Sequence, residues 1–146
     1  MVSDEEVFRF VVPGRLEYRD AARGFLDFVC RQLQEKGRLS GEACDHVLSA
    51  FVEAFNNAVV HAYRDAPGGV VETELRVTSR EVVVCITDEG RAFSFDEVVP
   101  PELDALPEGG LGLYIMKSFM DEVRYEPGAR RNRLSMRKAL APPGVC

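Results

Sequence analysis

Residues 53–63 read Glu53-Ala-Phe-Asn-Asn57-Ala-Val-Val-His61-Ala-Tyr63. On a helix, Glu53 and Asn57 are four residues apart and share a face, with Asn56 and His61 flanking them. The opposite face collects Cys44, Val47, Leu48, Phe51, Phe55, Ala58, Val59 and Ala62. This spacing predicts an amphipathic helix that runs to about Tyr63. Ser40 is placed to cap it, with Glu42 and Ala43 in its first turn. Two readings of the polar side stand open: it faces water, or it lines a cavity. Ala50 and Val60 also lie on that side, and the Glu–Lys pairs of a solvated face are missing. A carboxylate and two amides among small apolar groups suit a lined cavity better.

Upstream of this helix, residues 7–12 alternate as a short strand, with Phe8, Phe10 and Val12 on one face. Pro13 and Gly14 end it. Residues 16–35 carry a helical stripe of Ala22, Phe25, Leu26, Val29, Cys30 and Leu33, and Gly37 is placed to stop it. Downstream, residues 65–69 (Asp-Ala-Pro-Gly-Gly) signal a turn. Val71, Thr73, Leu75 and Val77 alternate with polar residues, as in a half-buried strand. Residues 82–86 are continuously apolar, which predicts a central strand buried on both faces. Residues 90–110 show no periodic element and contain Pro100, Pro101 and Pro107, so a long loop is expected there. A third helix is expected at about residues 112–121, then two strands around Arg124-Tyr125 and residues 133–138, joined across Pro127-Gly128. The order implies an α+β fold: a two-layer sandwich with one mostly antiparallel sheet covered on one face by helices.

At 146 residues, the chain is expected to form one domain over residues 1–140, with a flexible tail at 141–146. Its formal net charge of -6 argues against a nucleic-acid partner and against docking on an anionic membrane. It says little about nucleotides, which are held by local N–H groups and a metal ion. Cys30, Cys44, Cys85 and Cys146 form no CxxC pair, so zinc and thioredoxin-type chemistry lack support. The acidic first residues lack the apolar stretch of a signal peptide, and no apolar run reaches the roughly 20 residues of a membrane helix. A reducing cytoplasm is therefore expected.

Two further segments carry chemistry. Thr87-Asp88-Glu89-Gly90-Arg91-Ala92-Phe93 follows the apolar strand directly. An Asp at a strand end can accept from an exocyclic amine, and a following glycine lets the backbone approach a flat ring. The plain alternative is a common Asp-Glu-Gly turn. Glu108-Gly109-Gly110-Leu111-Gly112-Leu113-Tyr114-Ile115-Met116 is a glycine-rich turn opening a helix, where unpaired N–H groups and the positive helix end favour phosphate. A flexible glycine turn is the alternative there. No G-x-G-x-x-G follows a first strand and no G-K-[ST] follows the glycines, so dinucleotide and P-loop folds are set aside.

Order and spacing say more than any single segment: E-x-x-x-N on a helix, D-x-G after an apolar strand, then G-x-G opening a helix. The three resemble the N box and the two glycine boxes of the GHKL ATPase superfamily, which has the Bergerat, or histidine-kinase-like, fold. The match is nearest to its anti-sigma-factor serine/threonine kinases, through E-A-x-x-N-A-x-x-H-x-Y and through G-G-L-G-L-x-I-M-x-x-x-M-D-E-V from Gly109 to Val123. The resemblance spans roughly Phe8 to Lys138. It implies that Asn57 coordinates a Mg²⁺ bridging the phosphates of ATP, and that Glu53 is the general base for the attacking hydroxyl. Asp88 would accept the adenine amine and Gly90 would admit the ring. Gly110, Leu111 and Gly112 would cradle the phosphates, His61 would join the nucleotide site, and residues 94–108 would form a short lid.

The resemblance also implies partners: an anti-anti-sigma factor as substrate, a sigma factor as second partner, and a homodimer. Arg23 is the counterpart of an arginine that docks partners in that family, or a plain surface residue. There is one departure. Many members read D-x-G-x-G in the first glycine box, and Ala92 stands at its last position here. A second function therefore stays open: a module that binds ATP, or no nucleotide, and sequesters a partner without phosphoryl transfer. The catalytic half of a split histidine kinase fits less well, because the His46 region supplies no phosphorylatable dimerisation segment. Arg91 and His46 read as surface residues.

Overall fold

The computed structural model describes residues 5–63, 68–90 and 110–141. Strand β1 (Glu6–Pro13) leads through a 3-10 turn at Leu16–Tyr18 into helix α1 (Arg19–Glu35). Helix α2 (Gly41–Tyr63) follows, then the strands β2 (Val70–Val77) and β3 (Glu81–Asp88). Helix α3 (Gly110–Phe119), β4 (Glu122–Glu126) and β5 (Asn132–Ala139) complete the described elements. The strands form one sheet in the order β1-β2-β3-β5-β4, with antiparallel neighbours throughout. The expected α+β class and mostly antiparallel sheet are observed.

Local signals explain the element ends. Gly37 takes a φ of 70°, which an L side chain rarely adopts, and α1 stops two residues before it. The Ser40 hydroxyl accepts from the Ala43 N–H at 3.0 Å, so it caps α2. Helix α3 ends where Lys138 donates to the Phe119 carbonyl at 2.6 Å.

The helices cover one face of the sheet. Phe8 and Phe10 pack on Phe25, and Val71, Leu75, Val82, Val84, Ile86, Leu134 and Met136 form the sheet side of the core. Helix α2 lies in the middle of the helix layer. Of its predicted apolar stripe, Cys44, Val47, Leu48, Phe51, Phe55, Ala58 and Val59 are buried, and so are Ala50 and Ala54, because α3 packs on the side that carries Glu53. Leu113, Met116 and Met120 form the inward stripe of α3.

The reading of residues 82–86 as buried on both faces needs correction. Val82, Val84 and Ile86 face the helices, but Val83 and Cys85 point to the uncovered face. Val83 is half-buried, among Glu122, Arg124 and Arg137. Cys85 is shielded by Arg133, whose Nη2 lies 3.2 Å from its Sγ, and by the Ser135 hydroxyl at 3.5 Å. Long arginine stems, rather than a second layer of helices, exclude water there. Among the described residues, no helix is long and apolar enough to cross a membrane.

Candidate nucleotide site

Helix α2 is the axis of the site, and the other segments attach to it. Glu53 is half-buried on the side that faces α3. Gly112 lies so close that a Cβ built there would sit 2.7 Å from Glu53 Oε2 and 3.6 Å from its Cβ and Cδ. With glycine at 112 the carboxylate lies directly against the first turn of α3, and any Cβ there would push its Oε2 aside. Gly110 and Gly112 were expected to precede or begin a helix at residue 112; they lie inside its first turn, since α3 starts at Gly110. Leu111 is exposed and Gly112 buried. The first N–H groups of α3 have no partner within the helix, so the Glu53 carboxylate faces a region that attracts anions.

One turn further along α2, Asn57 is only 7% exposed, and among the described residues its buried Nδ2 has no hydrogen-bond partner. Leaving a buried amide end unsatisfied costs roughly 1–3 kcal/mol, so the arrangement asks for a ligand. A 180° turn of the amide presents its oxygen in the same place. Asn56 accepts from Arg19 Nη1 at 3.4 Å and is thereby tied to α1. His61 is exposed near the end of α2. His46, half-buried, stacks on Phe119 with the rings 4.3 Å apart, so it helps to seat α3.

At the other end of the site, Asp88 closes β3 and is 6% exposed. Its Oδ1 accepts from the Gly90 N–H at 3.0 Å and from Asn132 Nδ2 at 2.9 Å. Burial pushes the carboxyl above its ordinary value of 3.8, while the bonds from Asn132 and Gly90 pull the other way. Asn132 also donates to the Gly90 carbonyl at 2.8 Å and is 1% exposed. A single amide thus fixes both the acidic group and the glycine of the turn. Sequence reading missed this residue. The one signal is the register, which pairs Asp88 with Asn132 across β3 and β5.

Tyr63, the last residue of α2, is 8% exposed. Its hydroxyl donates to the Val70 carbonyl at 2.7 Å and accepts from the Glu89 N–H at 2.8 Å. Burial raises the phenol above its ordinary value of 10.0, despite the bond from Glu89, so it stays protonated and able to donate. The structure therefore sets Glu53 against Gly112 near the middle of α2 and the Asp88–Gly90 turn against Tyr63 at its C-terminal end. Asn57 lies between them. At 1.5 Å per residue, Glu53 and Tyr63 stand about 15 Å apart along the axis. Gly109, Arg91, Ala92 and the expected lid at 94–108 lie outside the described residues.

The family model of the histidine kinase-like ATPase domain matches residues 13–138. The serine-protein kinase RsbW of Bacillus subtilis is 32% identical over 134 residues, covering 86% of this chain and 81% of that one. The anti-sigma F factor of Clostridium novyi is 27% identical over 104 residues, 68% of this chain and 73% of its own. Among solved structures, the RsbU and RsbW domains of a Mycobacterium tuberculosis protein superpose with a TM-score of 0.67 at 16% identity. That match covers 94% of this chain but 33% of the other, and it supports the fold. The chain belongs to the family of histidine kinase-like ATPase domains. Within that family it stands with the anti-sigma-factor serine kinases.

Proposed function

We propose that this chain is a Mg-ATP-dependent protein kinase that phosphorylates a serine or threonine of an anti-anti-sigma factor, and that it also binds a sigma factor. The observation that carries the reading is the Glu53–Gly112 contact beside the buried Asn57 amide, which has no hydrogen-bond partner among the described residues. It gathers a proton acceptor, a metal ligand and a helix N-terminus in one place. Phosphoryl transfer asks mainly for positioning and charge neutralisation, and this set supplies both.

Each residue has a distinct task. The α3 N-terminus, through the backbone of Gly110, Leu111 and Gly112, receives the phosphates. Glu53 orients the incoming hydroxyl and takes its proton as the new O–P bond forms and the bond from the γ-phosphorus to the bridging oxygen breaks, releasing ADP. Asp88 accepts from the adenine amine through the oxygen left over by Asn132 and Gly90, and Gly90 leaves space for the ring. His61 extends the nucleotide-binding side of α2.

Asn57 would hold Mg²⁺, which would neutralise charge on the phosphates. Among the described residues no group of three or more His, Cys, Asp or Glu could hold a metal by itself. This fits Mg²⁺, which takes one or two protein oxygens and completes its shell with phosphate and water. The similarity to a kinase and to an anti-sigma factor supports the partner assignment. A homodimer and a cytoplasmic location belong to the same reading.

Capture of a partner without phosphoryl transfer is the second reading, and Ala92 in the first glycine box favours it. The deciding experiment incubates the protein with radiolabelled Mg-ATP and its cognate anti-anti-sigma domain, alongside Glu53→Gln. Label on a serine or threonine of the partner, reduced at least a hundredfold in the variant, is expected. Nucleotide binding with no transfer would select the second reading.

A further inference from the structure

We propose that Tyr63 is a positioning residue that sets the height and tilt of the adenine-side turn, Asp88 to Gly90, relative to the helix carrying Glu53 and Asn57. The inference rests on the nucleotide reading of the site. Its physical basis is a clamp with three independent contacts. The hydroxyl bridges the Val70 carbonyl and the Glu89 N–H, at 2.7 Å and 2.8 Å. The Glu89 N–H lies in the middle of the turn, between the Asp88 carboxylate and Gly90. The ring itself is seated in a slot made by two glycines. A Cβ at Gly14 would come within 2.3 Å of the ring, and one at Gly69 within 2.1 Å. Those two glycines are joined by the bond from the Gly14 N–H to the Gly69 carbonyl at 2.8 Å.

The consequence is mechanical. Helix α2 reaches the phosphate end of the site at Glu53 and Asn57, and its last side chain reaches the adenine end. Asn132 holds Asp88 from the β5 side, and Tyr63 holds the next peptide from the α2 side. Without the hydroxyl, the turn keeps its chemistry but loses its fixed distance from the phosphate end. Aromatic bulk at position 63 alone does not meet the requirement, because the bridge needs one atom that both donates and accepts.

The test uses Tyr63→Phe, which keeps the ring in its slot, in a double-mutant cycle with Asp88→Asn. Mg-ATP affinity is read by calorimetry, and exchange of the Glu89 amide is followed by NMR in the unliganded proteins. Expected are at least tenfold weaker binding in Tyr63→Phe, no further loss when it is combined with Asp88→Asn, and at least tenfold faster Glu89 exchange. Amides of the central strand β3 are expected to keep their protection. Binding equal to wild type in Tyr63→Phe would overturn the proposal, as would a loss that adds in full to that of Asp88→Asn. Uniformly faster exchange across the core would also overturn it, by showing a general structural role. Should the wild type bind no nucleotide, the reading of the site fails instead, while the exchange data still decide whether Tyr63 holds the turn.

Discussion

Replacing Gly112 by alanine should separate catalysis from stability if Glu53 is the base. The added methyl carbon would lie 2.7 Å from Glu53 Oε2. To regain ordinary van der Waals separation the oxygen must retreat by roughly 0.7 Å. That oxygen ends a flexible side chain, so the backbone has no need to move. Alanine in place of glycine near a helix start adds about 0.5 kcal/mol of helix stability. Glycine is therefore the worse choice for the helix and the better one for the carboxylate. Displacement of a catalytic group by about 1 Å lowers a rate roughly a hundredfold. For 0.7 Å we expect kcat to fall about 10- to 100-fold, or ~1.4–2.7 kcal/mol in barrier. The assay is steady-state phosphorylation of the partner, paired with thermal unfolding. The expected result is a melting temperature unchanged or up by about 1–2 °C, with kcat reduced. An undiminished kcat would refute the placement of Glu53 as base. A large fall in melting temperature would show that Gly112 serves packing.

Two further outcomes follow from the proposed adenine end. Asn132→Ala removes the bonds to Asp88 and Gly90 and leaves the Gly90 carbonyl without that partner; it should lower unfolding free energy by about 2 kcal/mol in chemical denaturation and weaken ATP binding. Asp88 has its folded pKa raised by burial, so its contribution to stability is fully present below its ordinary value of 3.8 and is lost as pH rises through the folded value. Asp88→Asn, which keeps the acceptor for Asn132 and Gly90, should therefore melt higher than the wild type at neutral pH. The gap should close as pH falls below the ordinary carboxylate range, and a gap independent of pH would contradict the assigned cause.

Much of the fold could be read from local pattern, because its signals act locally. Phe8, Phe10 and Val12 alternate, Ser40 precedes a helical stripe, and Gly37 needs a left-handed φ. The continuous run at residues 82–86 misled because a strand covered by helices on one face can hide Val83 and Cys85 under arginine stems on the other. Local pattern starts α3 two residues late, at 112 rather than Gly110, because glycine reads as loop; Gly112 instead answers a tertiary demand from Glu53. The pairing of Glu53 with Asn57 was legible from helical spacing. The partners of Asp88 were not, since Asn132 meets it only through the register of β3 and β5 and Tyr63 only through the end of α2. These contacts depend on how elements dock, which no local periodicity records.

The most direct test of the account is calorimetric titration of Mg-ATP into the wild-type protein and into Asp88→Asn. Micromolar binding by the wild type, about -8 kcal/mol, is expected, with at least a hundredfold loss in the variant, in a protein no less stable. Equal affinity in the two proteins, or no binding by the wild type, would contradict the assignment of the adenine site.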